Sequence, residues 1–505
     1  MGIVRRQSIL SSLITYVGFA IGAFNLLFLF GKFFTPEQVG LTRLITDIGL
    51  VFSTLCTLGS IPAINKFYPF YESYLPKAKN DLGFIAIVLC SAGFIMFYIF
   101  GHVFSEFLFR KFSNNSPLFV SYQKLIYPFT FSLLTYTLFE AFAYGAKKTV
   151  LCNFLREVFS RTFIAIILLL TVFHVLSFDQ FMDCFSLMYA GSALILITYL
   201  IVSKNLVINF NISSLSRRLS SKLVSFSLFV FSTAVLGVII RTNDVFILSS
   251  VTKNGLKNAA IFTYASYFIT MMDVPFRSIG SISIPILAES WKNRDFKNIE
   301  VIYKRSALNL VIAGLFIFIS IWLCIDNIIS YLGPSYEALK WPVLILGIAK
   351  LIDLGTGVNG YIVSTSKFWK FDFFTYVIFA LISLPMNYFL IKNMGLIGGA
   401  ISNLIALIIF NSIRYFFILK WFKIQPFNKN NLLCIVGAGA IYCVVNLLPF
   451  IHDIYTDSFI SVLLFVSLYS YFILKLKLSE DADFLFGKVL NLIKKDNKFP
   501  LNINP

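Results

Sequence analysis

Runs of twenty or so apolar residues recur along nearly the whole chain, broken by short polar stretches, and this pattern predicts a polytopic helical membrane protein. A helix rising ~1.5 Å per residue needs roughly 20 apolar residues to cross the hydrocarbon core. Such runs lie at 8–30, 41–67, 82–105, 118–143, 151–175, 181–203, 222–248, 259–287, 306–325, 341–364, 371–391, 395–419, 431–449 and 457–475. The expected fold is therefore all-α and membrane-integral, with about fourteen transmembrane helices. Breaks such as NNSP at 114–117, GPSYE at 333–337 and QPFNKN at 425–430 supply turn-forming residues between runs. The first run follows Arg5 and Arg6 as a signal peptide would, but it is long and ends in GKFFTPEQ without a small-x-small cleavage site, so it is expected to be a retained helix. In the tail, Phe484, Leu485, Val489, Leu490, Leu492 and Ile493 alternate with Lys488, Lys494 and Lys495. That is the pattern of an amphipathic helix on an anionic leaflet. LGSI at 58–61 and IGSI at 279–282 fall on the second and eighth spans, an offset of six that fits two six-helix repeats with a pair left over.

Composition says what solvent the surface meets. Only 13% of residues are charged and 58% are hydrophobic, against about 25% charged in soluble domains, so lipid must cover much of the exterior. The net charge of +18 would suggest nucleic acid in a soluble protein. Here the basic residues sit mostly in connections between runs, as the positive-inside rule produces, and nucleic-acid binding is set aside. With the N-terminus cytoplasmic, only Lys32, Arg43, Arg110, Lys111, Lys253, Lys257, Lys340 and Lys392 fall on external connections, and Lys124, Arg161, Arg241, Arg277, Lys350 and Arg414 fall within spans. The other basic residues all lie on the cytoplasmic side, which places both termini there. The longest cytoplasmic connections, 204–221 and 288–305, leave no room for a soluble domain. The seven cysteines lie in or beside apolar runs with no Cys-x-x-Cys pair, and read as small hydrophobes.

Candidate chemistry lies where charge enters the membrane. One charged side chain at the bilayer centre costs roughly 2.5–3.5 kcal/mol on insertion scales and normally faces a cavity or a partner. Arg43 and Asp47 are spaced i,i+4, as are Asp273 and Arg277; Arg241 and Asp244 are spaced i,i+3, as are Lys350 and Asp353. Both spacings bring side chains together on one helix face. Each pair has two readings: mutual neutralisation that makes insertion tolerable, or the lining of a water-filled cavity suited to an anionic group. Four pairs, on the second, seventh, eighth and tenth spans, exceed what insertion alone requires. Lys124, Arg161 and Arg414 lie nearer span ends and are expected to snorkel. Asn25, Asn65, Asn309, Asn387, Asn403, Asn411 and Asn446 can bond sugar hydroxyls, but for each the first expectation is that it joins helices. Gly18 with Gly22, and Gly395 with Gly399, have the small-xxx-small spacing of close helix approach. His102, His174 and His452 are too scattered to suggest a metal site. Asp481 and Asp483 read as acidic residues at the start of the tail helix. No Walker A sequence is present, and no catalytic residue, metal or cofactor is expected.

Several segments carry a family likeness. TPEQVG at 35–40 is followed by LGS at 58–60 and KFYP at 66–69; RTNDVFIL at 241–248, TYASYF at 263–268, VPFRSIGSISIPILAE at 274–289, LGPSYEALKWPVLIL at 332–346 and MGLIGGAISN at 394–403 continue the series. In order and spacing the chain resembles the prokaryotic polysaccharide or oligosaccharide flippases of the multidrug/oligosaccharidyl-lipid/polysaccharide exporter superfamily, the lipid-linked O-antigen type. The resemblance implies two pseudo-symmetric six-helix lobes in a V around a central cavity, at 1–205 and 206–420. It also implies a C-terminal helix pair at 421–478, used in some members as a groove for the lipid tail, before the cytoplasmic tail at 479–505. Carried over by position, Arg241 and Asp244 would face the cavity with Arg43 and Asp47 opposite. The insertion-cost argument adds Arg277 and Lys350 as cavity cations, and Asp273 and Asp353 as paired or coupling acids.

The function implied is movement of an undecaprenyl-diphosphate-linked oligosaccharide, a surface-polysaccharide repeat unit, from the inner to the outer leaflet of a bacterial cytoplasmic membrane. Its partners would be lipid-linked oligosaccharide and membrane lipids, with a polysaccharide polymerase and chain-length machinery as further candidates. Two rivals stand beside it. A drug/cation antiporter of the same superfamily would need acidic cation-binding residues that are not obvious here. A membrane enzyme acting on lipid-linked glycans, a polymerase or acyltransferase, would need a larger catalytic external loop.

Overall fold

The computed structural model describes residues 2–76, 79–206, 209–448 and 454–483. The amphipathic helix expected at 484–493 and His452 lie outside the described residues. Those that are described form helices joined by short turns, with no strand among them. Several helix starts follow from local chemistry. Thr35 and Gln38 form a reciprocal capping box ahead of Pro36–Cys56, with Pro36 at the first helical position, and Ser177 and Gln180 do the same for Phe178–Ser186. Ser213 caps the 38-residue helix Ser214–Val251, and Asn428 caps Lys429–Leu447.

Among the described residues ten helices are long and apolar enough to cross a membrane, or up to eleven if the bent pair Pro334–Gly355 and Asn359–Thr365 is one span. The expectation is about fourteen spans, and the expected runs that this count leaves out or joins have definite places. The run at 151–175 is helical without a break from Thr149 through a π-helical turn Phe154–Phe159 to Val172, and it is kept out of the ten by the charged residues Arg156, Glu157 and Arg161. At 259–287 the chain breaks between Gly255–Thr270 and Asp273–Asn293. The runs 371–391 and 395–419 are two helices that meet at a kink at Gly395 (φ 59°, ψ −132°), within Trp369–Phe422. The second run, expected as one helix, turns at Thr57–Gly59, where Leu58 and Gly59 take φ of 45° and 83°.

The helices group into two compact units, Met1–Tyr264 with Leu384–Gly399, and Ala265–Ser383 with Ala400–Pro505. In the first, Pro36–Cys56 packs against both Ile126–Gly145 and Ser214–Val251. Glycines permit the closest approaches: a Cβ at Gly40 would collide with the Leu256 carbonyl, and one at Gly93 with the Cys56 carbonyl. Gly18 and Gly22 meet Glu157 and Arg161, so this pair packs as its spacing predicts. Gly395 does not. Nothing stands near its missing Cβ, and its positive φ identifies it as a backbone break instead.

In the second unit, Leu287, Ile299, Tyr303, Val358, Ile362, Val363, Ile418 and Ile424 form a buried cluster. Phe296–Leu332 packs against Lys340–Gly355 and against the terminal helices Lys429–Leu447 and Ile454–Lys475. Trp322 Nε1 donates to the Tyr442 hydroxyl at 3.1 Å, and Asn327 Nδ2 to Ser458 Oγ at 2.6 Å, which fixes those terminal helices. Large apolar side chains such as Ile95, Met96, Ile99, Leu381 and Phe389 point outward from their helices. A lipid-facing surface requires this, and a water-facing one would not tolerate so many.

Candidate functional site

In the first unit, the sequence-predicted residues Arg43, Asp47, Arg241 and Asp244 come from Pro36–Cys56 and Ser214–Val251, which pack together. Arg43 Nε donates to Asp47 Oδ2 at 2.9 Å, and the Asp47 side chain is 3% exposed. Arg241, on the helix packed against this one, adds a weaker attraction for the Asp47 carboxylate than Arg43 does. Arg241 is itself exposed on its helix. Asp244 Oδ1 accepts from Asn387 Nδ2 at 2.5 Å, which ties the seventh span to Trp369–Phe422. A guanidinium is a planar donor fork of the kind that engages a phosphate bidentately.

The second unit holds Asp273, Arg277, Lys350 and Asp353, and their pairing differs from expectation. Asp273 was expected to pair with Arg277, one turn away. Instead its Oδ1 lies 2.5 Å from Lys350 Nζ, and Asp353 Oδ2 lies 2.8 Å from the same nitrogen. The reason is geometric: Asp273 opens a helix just after the break at Met271 and Met272, where it can reach the neighbouring helix Lys340–Gly355. Arg277 stays exposed, and among the described residues no ion pair joins it to Asp273. Asp353 Oδ1 accepts from Asn411 Nδ2 at 3.0 Å, and Asn411 Oδ1 in turn accepts from Thr356 and Asn359, each at 2.9 Å. Lys350 thus sits between two carboxylates in a hydrogen-bonded network at a helix break.

The expectation of snorkelling fails for Arg161 and Arg414. Arg161 Nη1 donates to the Gly18 carbonyl at 2.7 Å, and its guanidinium pairs with Glu157 at 2.6 Å. Arg414 is 6% exposed, lies 3.9 Å above the Phe410 ring and pairs with Asp372 at 2.5 Å. Arg156 reaches the buried Glu140, which also accepts from Tyr136 and Tyr144. The Arg161–Glu157 pair has i,i+4 spacing and was detectable. The other two join residues from different helical turns and leave no local signal. Asn25, Asn387 and Asn411 join helices, in keeping with the expectation for asparagine. Asp481 lies in the first turn of the helix that opens at Glu480, and its Oδ2 accepts from Asn309 Nδ2 at 2.6 Å, while the Ala482 amide donates to Ser479 Oγ.

No family model and no curated protein matches the sequence. Solved structures do match. The chain is similar to lipid II flippase MurJ in an inward closed conformation, with a TM-score of 0.74 at 16% identity over 93% of this chain and 98% of that one. It is also similar to the inward-facing conformation of a multidrug resistance MATE family transporter of the MOP superfamily, with a TM-score of 0.61 at 13% identity over 82% and 95%. An outward-facing conformation of such a transporter gives 0.50 at 12% identity, over 83% and 95%. At these identities the likeness establishes the fold: an all-helical membrane fold found in flippases and transporters.

Proposed function

We propose that this protein is a flippase that carries an undecaprenyl-diphosphate-linked oligosaccharide, the repeat unit of a surface polysaccharide, from the inner to the outer leaflet of a bacterial cytoplasmic membrane. The observation that carries the reading is the ion pair of Arg43 with the buried Asp47, on a helix packed against the one that carries the exposed Arg241, both long and apolar enough to span a bilayer. The fold likeness supports it, being greater to the lipid II flippase than to the multidrug transporters. A cationic drug would be repelled by an exposed intramembrane arginine such as Arg241 or Arg277. A diphosphate would be attracted.

In this scheme lobes 1–205 and 206–420 alternate access, and the helix pair 421–478 accompanies the lipid tail. Arg43, Arg241, Arg277 and Lys350 contact the diphosphate at different stages, and Asp47, Asp244, Asp273 and Asp353 hold these cations or couple the cycle. A polysaccharide polymerase and chain-length machinery would receive the product. Two negative charges moving outward through an inside-negative potential of about 100 mV release about 4.6 kcal/mol, so the potential alone can drive the cycle.

The test is Arg241→Gln combined with Asp244→Asn. If the pair serves insertion only, removing both charges deletes the burden with its compensation and flux stays normal. If Arg241 binds substrate, the well-inserted double variant loses flux in a reconstituted lipid-linked oligosaccharide assay. Arg241→Lys keeps partial flux, since charge remains without the bidentate fork.

A further inference from the structure

A cavity of about 430 Å³ in the first unit holds a second candidate ligand site, apart from the arginine–aspartate pairs. It is bounded by Pro36–Cys56, by Ser60–Tyr74 beyond the break at Thr57–Gly59, by Thr137 and by Phe226–Ala234. The break shapes it: Gly59 passes close to Ser227, where an added Cβ would stand 3.3 Å from the Ser227 Cβ. That volume is within the ~300–1,000 Å³ of small-molecule sites, which are mainly apolar with a few polar groups that fix orientation. The polar groups here are Ser53, Thr54, Thr57, Asn65, Lys66 and Thr137.

Lys66 differs from the paired cations. Lys350 has two carboxylates and Arg43 has one, whereas Lys66 Nζ lies 3.6 Å from the centroid of the Phe226 ring and makes no ion pair among the described residues. A ring face offsets an ammonium charge only in part. An anion entering this cavity meets a positive charge that no carboxylate has neutralised among the described residues, beside the Asn65 amide and three threonine hydroxyls that donate to the Leu50, Thr54 and Leu134 carbonyls and so can accept from a polyol. Phe226 and Phe231 add flat apolar faces of the kind that cover the C–H face of a pyranose.

We propose that this cavity binds the phosphate-proximal sugar of a prenyl-diphosphate-linked glycan, with Lys66 on a phosphate oxygen and Asn65, Thr57 and Thr137 on sugar hydroxyls. The proposal rests on the flippase reading and assigns it a head-group site outside the arginine–aspartate set.

The experiment uses the full chain in phosphatidylcholine nanodiscs, with a prenyl-diphosphate-linked N-acetylglucosamine as the probe. Lys66→Gln is expected to weaken binding about tenfold and Lys66→Arg to restore most of it. Asn65→Ala with Thr137→Val weakens the glycosylated probe but not the same prenyl diphosphate without sugar. Thermal unfolding of each variant establishes that it is folded. If the wild-type chain binds and flips the probe while Lys66→Gln binds it equally well, the cavity proposal is overturned and the flippase reading stands. A wild-type chain that neither binds nor flips any prenyl-diphosphate glycan overturns that reading itself. Inorganic pyrophosphate or added phosphatidylglycerol displacing the probe as well as unlabelled probe does would reduce the site to a general phosphate site and overturn the sugar assignment.

Discussion

Charge burial is decided residue by residue, and Arg414 with Asp372 shows how. The arginine is almost fully covered, rests on Phe410 and spends its charge on one carboxylate from a different part of Trp369–Phe422. Removing one partner of such a pair strands the other and costs roughly 3–5 kcal/mol, whereas replacing both with apolar residues of similar size is often neutral. Asp372→Asn should therefore lower the thermal unfolding temperature of the purified protein markedly, and Arg414→Met with Asp372→Leu should recover most of it. A single variant as stable as wild type would remove the ion pair from the account. The same pair shows what the sequence hides. Local spacing exposed Arg43–Asp47 and Lys350–Asp353, because a helix places i,i+3 and i,i+4 neighbours together whatever the tertiary fold. Partners 42 residues apart meet only through helix packing, so Arg414 read as a snorkelling residue. Asp273 misled in another way, since a break one residue before it freed it to reach Lys350.

Helices themselves were largely legible, and their interruptions were not. Hydropathy gives length and spacing, but a break inside an apolar run costs no hydropathy, so Thr57–Gly59 and Met271–Met272 stayed invisible in the pattern, whereas the break at Gly395 falls at the expected boundary between the runs 371–391 and 395–419. At Gly395 the combination of φ 59° and ψ −132° lies outside the wells open to L-residues, including the left-handed helical well that asparagine tolerates. Gly395→Ala should thus destabilise the protein by about 1–3 kcal/mol, with Gly395→Asn giving no relief. Gly399→Ala, whose added Cβ would stand 3.3 Å from the Phe262 ring, should cost less. Unfolding temperatures of the three variants check the order, and equal stability for Gly395→Ala would mean that the break straightens at no cost.

At the scale of the whole molecule, the end of the chain is joined to the bundle by polar contacts that can be cut selectively. Glu480 pairs with Arg305, Asp481 accepts from Asn309, and Asn430 Nδ2 donates to the Leu478 carbonyl at 2.9 Å. Truncation after Asp483 keeps these contacts and removes only the expected amphipathic tail. Truncation after Ser479 also removes Glu480 and Asp481. If the tail merely rests on the leaflet, the first truncation should keep most of the flux and the second should lose more. Complete loss from the first would make the tail part of the transport machine.

Sidedness is the remaining whole-molecule property, and the seventh span tests it most sharply. Its 38 residues extend about 57 Å, nearly twice the ~30 Å hydrocarbon core, so both ends must stand clear of the membrane. Arg217 near one end and Lys253 just past the other are both exposed. In a cysteine-free background, single cysteines at Lys148, Arg217 and Asn293 should react with a membrane-impermeant maleimide only from the cytoplasmic side. Cysteines at Asn114, Lys253 and Ser335 should react only from outside. All six positions are exposed, which makes the labelling interpretable. Asn115 would not serve, because it donates to the Ser250 carbonyl and accepts from the Gly255 amide. The charge bias and the helix breaks make opposite demands on this experiment. Basic residues assign each connection a side from sequence alone, whereas the divided run at 259–287 leaves room for a segment that enters the bilayer without crossing it. Should positions 217 and 253 label from the same side, the seventh helix does not span, and every later connection changes sides with it. Opposite labelling at 217 and 253, with 293 on the side of 217, requires that the broken helix pair Gly255–Thr270 and Asp273–Asn293 crosses as one unit and carries Arg277 into the membrane.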